Sequence, residues 1–165
     1  MLKLKLMKQY KWLFIVGYIG VVLVAVGCKV QPPATTGTTT HPVMLVNFEQ
    51  TTSFESVLQK SKAQHKPVFV DFYTTWCMPC KLMDEEVFAK KISADYLNQY
   101  FINYKVDAEK GKGPDLAAIY EVKAYPTTLF LDSNGVVLVR KEGATMHTEL
   151  TKLGNEAVAR YNGER

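Results

Sequence analysis

The stretch Val68 to Tyr73, VFVDFY, contains one polar residue in six. A strand with one wet face alternates apolar and polar residues. A near-continuous run of β-branched and aromatic residues instead belongs to a strand covered on both faces. This requirement constrains the fold most, because both sides of the sheet need a layer of helices. Asp71 is out of place in such a strand. A carboxylate withdrawn from water holds its proton to higher pH than usual, which suits it to proton exchange.

The neighbouring patterns supply those layers. Val43–Phe48 (VMLVNF) is a short apolar run that suits a strand. Thr52 and Glu55 have capping-box spacing, and Phe54, Val57, Leu58 and Ser61 follow at helical spacing, so a helix is expected to about Gln64. After VFVDFY a helix is expected from Met78 to about Lys91, with Pro79 in its first turn, where a missing N–H costs little. A short helix around Ser93–Tyr100, a strand Phe101–Val106 and a helix Asp115–Tyr120 come next. Thr127–Asp132 and Val136–Lys141 flank Ser-Asn-Gly, a strong hairpin signal, and a last helix is expected over His147–Tyr161. The order β-α-β-α-β-α-β-β-α predicts an α/β domain, a mixed central sheet with helices on both faces.

The 165 residues divide unevenly in charge. Four of the 20 basic residues, Lys3, Lys5, Lys8 and Lys11, fall in residues 1–27 with no acid, leaving 16 basic against 16 acidic residues from Cys28 onward. The net +4 therefore belongs to the leader, and no nucleic acid is expected as a partner. The basic start and the uncharged Trp12–Gly27 stretch predict a signal segment over 1–27, with an uncleaved anchor as the alternative. Ala25-Val26-Gly27-Cys28 resembles a bacterial lipobox, which implies lipidation at Cys28. Residues 28–42, rich in Thr and Pro, are expected to be a flexible tether, and 43–165 the folded domain. The expected location is the cell envelope, facing the periplasm, with the membrane reached through the lipid anchor.

Directly after VFVDFY comes TTWCMPCK, where Cys77 and Cys80 are separated by Met78 and Pro79. Such a pair can be a staple, half of a zinc site or a redox centre. A staple closing so short a loop constrains the unfolded chain little. Zinc generally wants four ligands, and Cys28, His41, His65 and His147 are scattered, so no metal and no cofactor are expected. A redox centre fits the placement of Cys77 where a strand gives way to a helix, because thiolate is the nucleophile and a helix N-terminus favours it. Cys77 is then the attacking thiol, and Cys80 one turn on resolves the mixed disulfide. Trp76 would flank the site as an apolar platform.

VDFYTTWCMPCK, the strand ending at Val106-Asp107, and Ala124-Tyr125-Pro126-Thr127 opening the next strand together resemble the thioredoxin superfamily over about Phe48–Tyr161. The resemblance extends to bacterial extracytoplasmic thioredoxin-like lipoproteins and to the C-terminal domain of the thiol:disulfide interchange reductase. It implies the thioredoxin fold, a redox disulfide Cys77–Cys80, and Asp71 as the buried acid that exchanges a proton with Cys80. It also implies a cis bond before Pro126, packing of Pro126 against the cysteines, and a Tyr125 backbone left free to pair with substrate. The implied partners are protein thiol and disulfide clients and a transmembrane electron donor of the interchange-reductase kind. The family's usual inter-cysteine dipeptide is Gly-Pro, and here it is Met78-Pro79. The leading expectation is an envelope thiol-disulfide oxidoreductase that reduces protein disulfides. The alternatives are an oxidase or isomerase, or an adaptor or chaperone of the same fold using the cysteines for client or metal binding.

Overall fold

The computed structural model describes residues 43–51 and 53–163. The expectations for the signal segment, Cys28 and the tether concern residues 1–42 and lie outside the described residues. Within the described residues no helix is long and apolar enough to cross a membrane.

In chain order the elements are α1 (Phe54–Gln64), β1 (Val68–Tyr73), α2 (Met78–Met83), a π-helical turn (Asp84–Phe88) and α3 (Lys91–Tyr100). There follow β2 (Ile102–Asp107), α4 (Gly113–Ile119), β3 (Thr127–Leu131), β4 (Val137–Glu142) and α5 (His147–Gly163). The sheet order is β2-β1-β3-β4, with β1 parallel to β2 and antiparallel to β3, and β3 antiparallel to β4. The mixed sheet predicted from the sequence is present, and VFVDFY occupies one of its two inner positions.

The pleat of β1 divides the interior. Val68, Val70 and Phe72 point into one cluster with Val57 and Leu58 of α1, Ala117 of α4, and Leu129 and Leu131 of β3. Phe69 points the other way, into a cluster with Met83, Val87, Phe88, Leu97, Phe130 and Leu150. Each face is thus capped by helices, α1 and α4 on one and α2, the π-helical turn, α3 and α5 on the other. At roughly 25 cal/mol per Å² of apolar surface removed from water, these clusters supply the main stabilisation of the fold.

Three local expectations change. Val43–Phe48 is not a strand: it touches the sheet at one parallel bridge, Phe48 to Asn103. Its polar groups go elsewhere, with the Leu45 and Val46 amides donating to the Phe88 carbonyl. Asn98 completes the attachment, accepting from the Asn47 amide at 2.8 Å and donating to the Leu45 carbonyl at 3.1 Å. Side chains that satisfy a backbone in this way compete with strand pairing. The cap of α1 is Ser53, which accepts from the Ser56 amide. The helix expected over Met78–Lys91 is interrupted, becoming the π-helical turn after Met83 and ending before Lys91.

The hairpin forms as expected. Asp132 accepts from the amides of Asn134 and Val136 at 2.8 Å each, and Gly135 takes φ +85°, a conformation glycine adopts without steric cost.

Candidate active site

Cys77 and Cys80 stand where the chain leaves β1 and enters α2. Cys77 is the N-cap of α2, with extended backbone, and its Sγ accepts from the Cys80 amide at 3.2 Å. Pro79 lies in the first turn, where a helix needs no donor. The two sulfurs form a disulfide, with Cα atoms 5.3 Å apart. Both cysteines are buried, Cys77 at 3% exposure. Among the described residues no group of three or more His, Cys, Asp or Glu side chains gathers as metal ligands.

The residues beside the cysteines are open to solvent. Trp76 is 63% exposed, and its ring meets that of Tyr125 edge-on at 6.1 Å between centroids. The Tyr125–Pro126 bond is cis and Pro126 is buried. The Trp76–Tyr125 contact therefore brings the segment before β3 to the CxxC segment. On its other side the Trp76 indole N–H donates to both carboxylate oxygens of Glu109, each at 3.0 Å.

Beneath α2 lies an ionic group. Asp71 is 1% exposed and shares a sheet face with Phe69, the face toward which α2 turns Met83 and, one turn earlier, Cys80. The strand register sets Asp71 opposite Lys105 of β2. The Lys105 ammonium donates to Asp71 Oδ2 at 2.7 Å and to Asp84 Oδ1 at 2.6 Å. It also stands over the rings of Tyr73 and Phe88, 4.6 and 4.9 Å from their centroids. Burial pushes the Asp71 carboxyl up from its ordinary value, Lys105 pulls it back, and the nearby Asp84 adds to the rise. For Lys105 burial acts downward, but the two carboxylates outweigh it and its pKa is raised. The physical picture is one cation held between two acids, one of which is sealed from water.

The sequence singled out Cys77, Cys80, Asp71, Trp76, Tyr125 and Pro126. Backbone connection holds Trp76 with the cysteines, one ring contact adds Tyr125 and Pro126, and Asp71 lies on the face covered by α2. Lys105, Asp84 and Glu109 were missed. A lysine within the buried strand INYKVD carried a signal of the same kind as Asp71, but its pairing depends on the β1–β2 register. Asp84 and Glu109 read as ordinary surface acids. Their roles come from the π-helical turn and from the loop after β2, neither of which leaves a periodic trace.

A thioredoxin-like domain family model matches residues 54–157. Thioredoxin Y2, chloroplastic, of Arabidopsis thaliana is 39% identical over 100 residues, 61% of this chain, and the match spans only 54% of that protein's length. The disulfide bond reductase DsbH of Chlamydia pneumoniae is 26% identical over 142 residues, covering 78% of this chain and 85% of that one. A solution structure from Bacteroides thetaiotaomicron, provisionally named a disulphide-isomerase, superposes with TM-score 0.61 at 42% identity, over 68% of this chain and 93% of that chain. With the family model covering more than half of its residues, the chain belongs to the thioredoxin-like domain family, and it carries a CxxC pair at disulfide distance.

Proposed function

We propose that the protein reduces disulfides of client proteins in the cell envelope. The observation that carries this reading is the Cys77–Cys80 disulfide at the β1–α2 junction, with Cys77 as the N-cap of α2. In the dithiol form, Cys77 thiolate attacks one sulfur of the client disulfide. A Cys77–client S–S bond forms, the client S–S bond breaks, and the leaving client thiolate takes a proton from water. Asp71, with its raised proton affinity, accepts the Cys80 thiol proton. Cys80 thiolate then attacks Cys77 Sγ, the Cys77–client S–S bond breaks, and the second client sulfur leaves as a thiolate that takes a proton from water. The client gains two electrons and the Cys77–Cys80 disulfide results.

Return to the dithiol needs two electrons from an external dithiol, and for an envelope protein we assign this to a membrane-spanning thiol-disulfide donor. Trp76 and the segment Tyr125–Pro126 form the rim against which the client lies, with the Tyr125 backbone pairing to an extended stretch of it. The leader of residues 1–27 and lipidation at Cys28 would hold the domain at the membrane by the tether 28–42. Fatty-acid labelling that persists after Cys28→Ser would remove that anchor.

The test is reduction of insulin disulfides by the full chain with a dithiol donor. Wild type is expected to turn over and Cys77→Ser to be inactive. A wild type without activity overturns the reading. The name of the Bacteroides relative favours isomerisation as a second reading. A Cys77/Cys80 reduction potential well below that of the glutathione couple supports reduction, and one well above it overturns that direction.

A further inference from the structure

Strand β3 begins with two threonines, and both are sealed from water. The pleat sends them to opposite faces of the sheet. Thr127 lies opposite Phe72, and its hydroxyl donates to the Ala124 carbonyl at 2.8 Å. Thr128 lies opposite Asp71, on the face that also receives Phe130. Thr128 is 0% exposed, and its hydroxyl has no hydrogen-bond partner among the described residues. Valine would fill the same space without the cost of a buried, unbonded hydroxyl.

A second unpartnered atom stands on the facing residue. Lys105 takes Asp71 Oδ2, whereas the buried Asp71 Oδ1 receives no hydrogen bond among the described residues. Register partners in an antiparallel pair hold their Cβ atoms about 5 Å apart on one face, so these two side chains are within reach of each other. A hydroxyl turns about its C–O bond to donate, and an ionised carboxylate only accepts. One orphan donor therefore faces one orphan acceptor. The charged groups acting on Asp71 are Lys105 of β2 and Asp84 of the π-helical turn, with the Tyr73 ring beneath the Lys105 ammonium. From α2 comes Cys80, the proton donor of the redox reading, while α3 and α5 turn Leu97 and Leu150 to this face. Strand β3 brings no charge, and Thr128 is its one polar side chain here.

We propose that Thr128 is a positioning residue for the resolving step: its hydroxyl donates to Asp71 Oδ1 and holds the carboxylate oriented and ionised, ready to take the Cys80 proton at neutral pH. This rests on the redox reading above. The proton passes from Cys80 Sγ to Asp71, the electron pair stays on sulfur, and Thr128 keeps its own proton throughout. A hydroxyl bonds a carboxylate more strongly than a neutral acid, so Thr128 acts with Lys105 and against burial.

The test compares Thr128→Val, which keeps the shape and removes the hydroxyl, with Thr128→Ser, which keeps the hydroxyl. In the full chain, the Asp71 carboxyl carbon is titrated by NMR in the oxidised protein. Single-turnover reduction of a disulfide-bonded peptide is then followed against pH, at peptide concentrations where the first attack is complete and release from the mixed disulfide sets the rate. Thr128→Val is expected to move the Asp71 titration up by about one pH unit, the order of one charge-assisted hydrogen bond, and to carry the acid limb of the rate profile up with it. Thr128→Ser should stay near wild type in both. An Asp71 titration unchanged in Thr128→Val, or shifted equally in the valine and serine variants, would overturn the proposal, and so would a shifted titration with an unmoved rate profile. A wild type that reduces no peptide would overturn the redox reading and the positioning role with it, while the NMR titration would still decide the hydrogen bond.

Discussion

The two faces of β1 are built from the same six residues and do opposite work. Val68, Val70 and Phe72 enter a cluster of aliphatic and aromatic side chains and none is more than marginally accessible. On the other face Phe69 is joined by Asp71, and with it come Lys105, Asp84 and an ammonium over aromatic rings. Burying charges costs more than burying carbon, even when they are paired. The fold places that cost on the face under α2 and keeps the other face free of it, so stability and chemistry are separated by the thickness of one sheet.

Three substitutions would break or sharpen this contrast. The largest effect is expected on the aliphatic face, where Phe72→Ala should cost about 4 kcal/mol of unfolding free energy, nearly the same at pH 5 and pH 8. Denaturant titration at the two pH values measures it, and a strong pH dependence would erase the distinction between faces. Next is Lys105→Met, which leaves Asp71 buried without a cation and should cost about 3 kcal/mol at pH 7. The loss should shrink as pH falls, because protonating Asp71 removes the unpaired charge, and a loss constant with pH would argue against an ionised Asp71.

The smallest effect on stability is expected from Asp71→Asn, and its sign is reversed. A carboxyl whose folded pKa is raised binds its proton more tightly in the native state, so its contribution is fully present below the unfolded carboxylate range and is lost as pH rises through the folded pKa. The asparagine variant should therefore be more stable than wild type at pH 8, and the difference should vanish toward pH 3. Thermal melts across this range check it. The same variant should slow release from the mixed disulfide while leaving the first attack intact, separating the proton role from a structural one.

Residue type proved readable where it clashed with its surroundings. Asp71 in VFVDFY, the cysteine pair after it and Pro126 before β3 each stood out against an apolar background, and the helix layers on both faces followed from strands that needed cover on both sides. Lys105 stood out less, since it gains meaning only from the residue facing it across a strand pair 34 positions away in sequence. The interruption of the helix after Met83 left no proline or glycine to mark it. The apolar run Val43–Phe48 misled because its partners are the Phe88 carbonyl and the amide side chain of Asn98, and composition does not show where a backbone group will find its hydrogen bond.

That amide clamp has a mechanical consequence. A pull applied at Val43 loads the hydrogen bonds of Leu45, Val46 and Asn47 to Phe88 and Asn98 before any strand pair of the sheet. These bonds can peel one after another, as a zipper does, whereas β1 is held between β2 and β3 along nearly its whole length. Tension from the N-terminal side would thus be spent in the edge segment while the strand that carries Cys77 keeps its place.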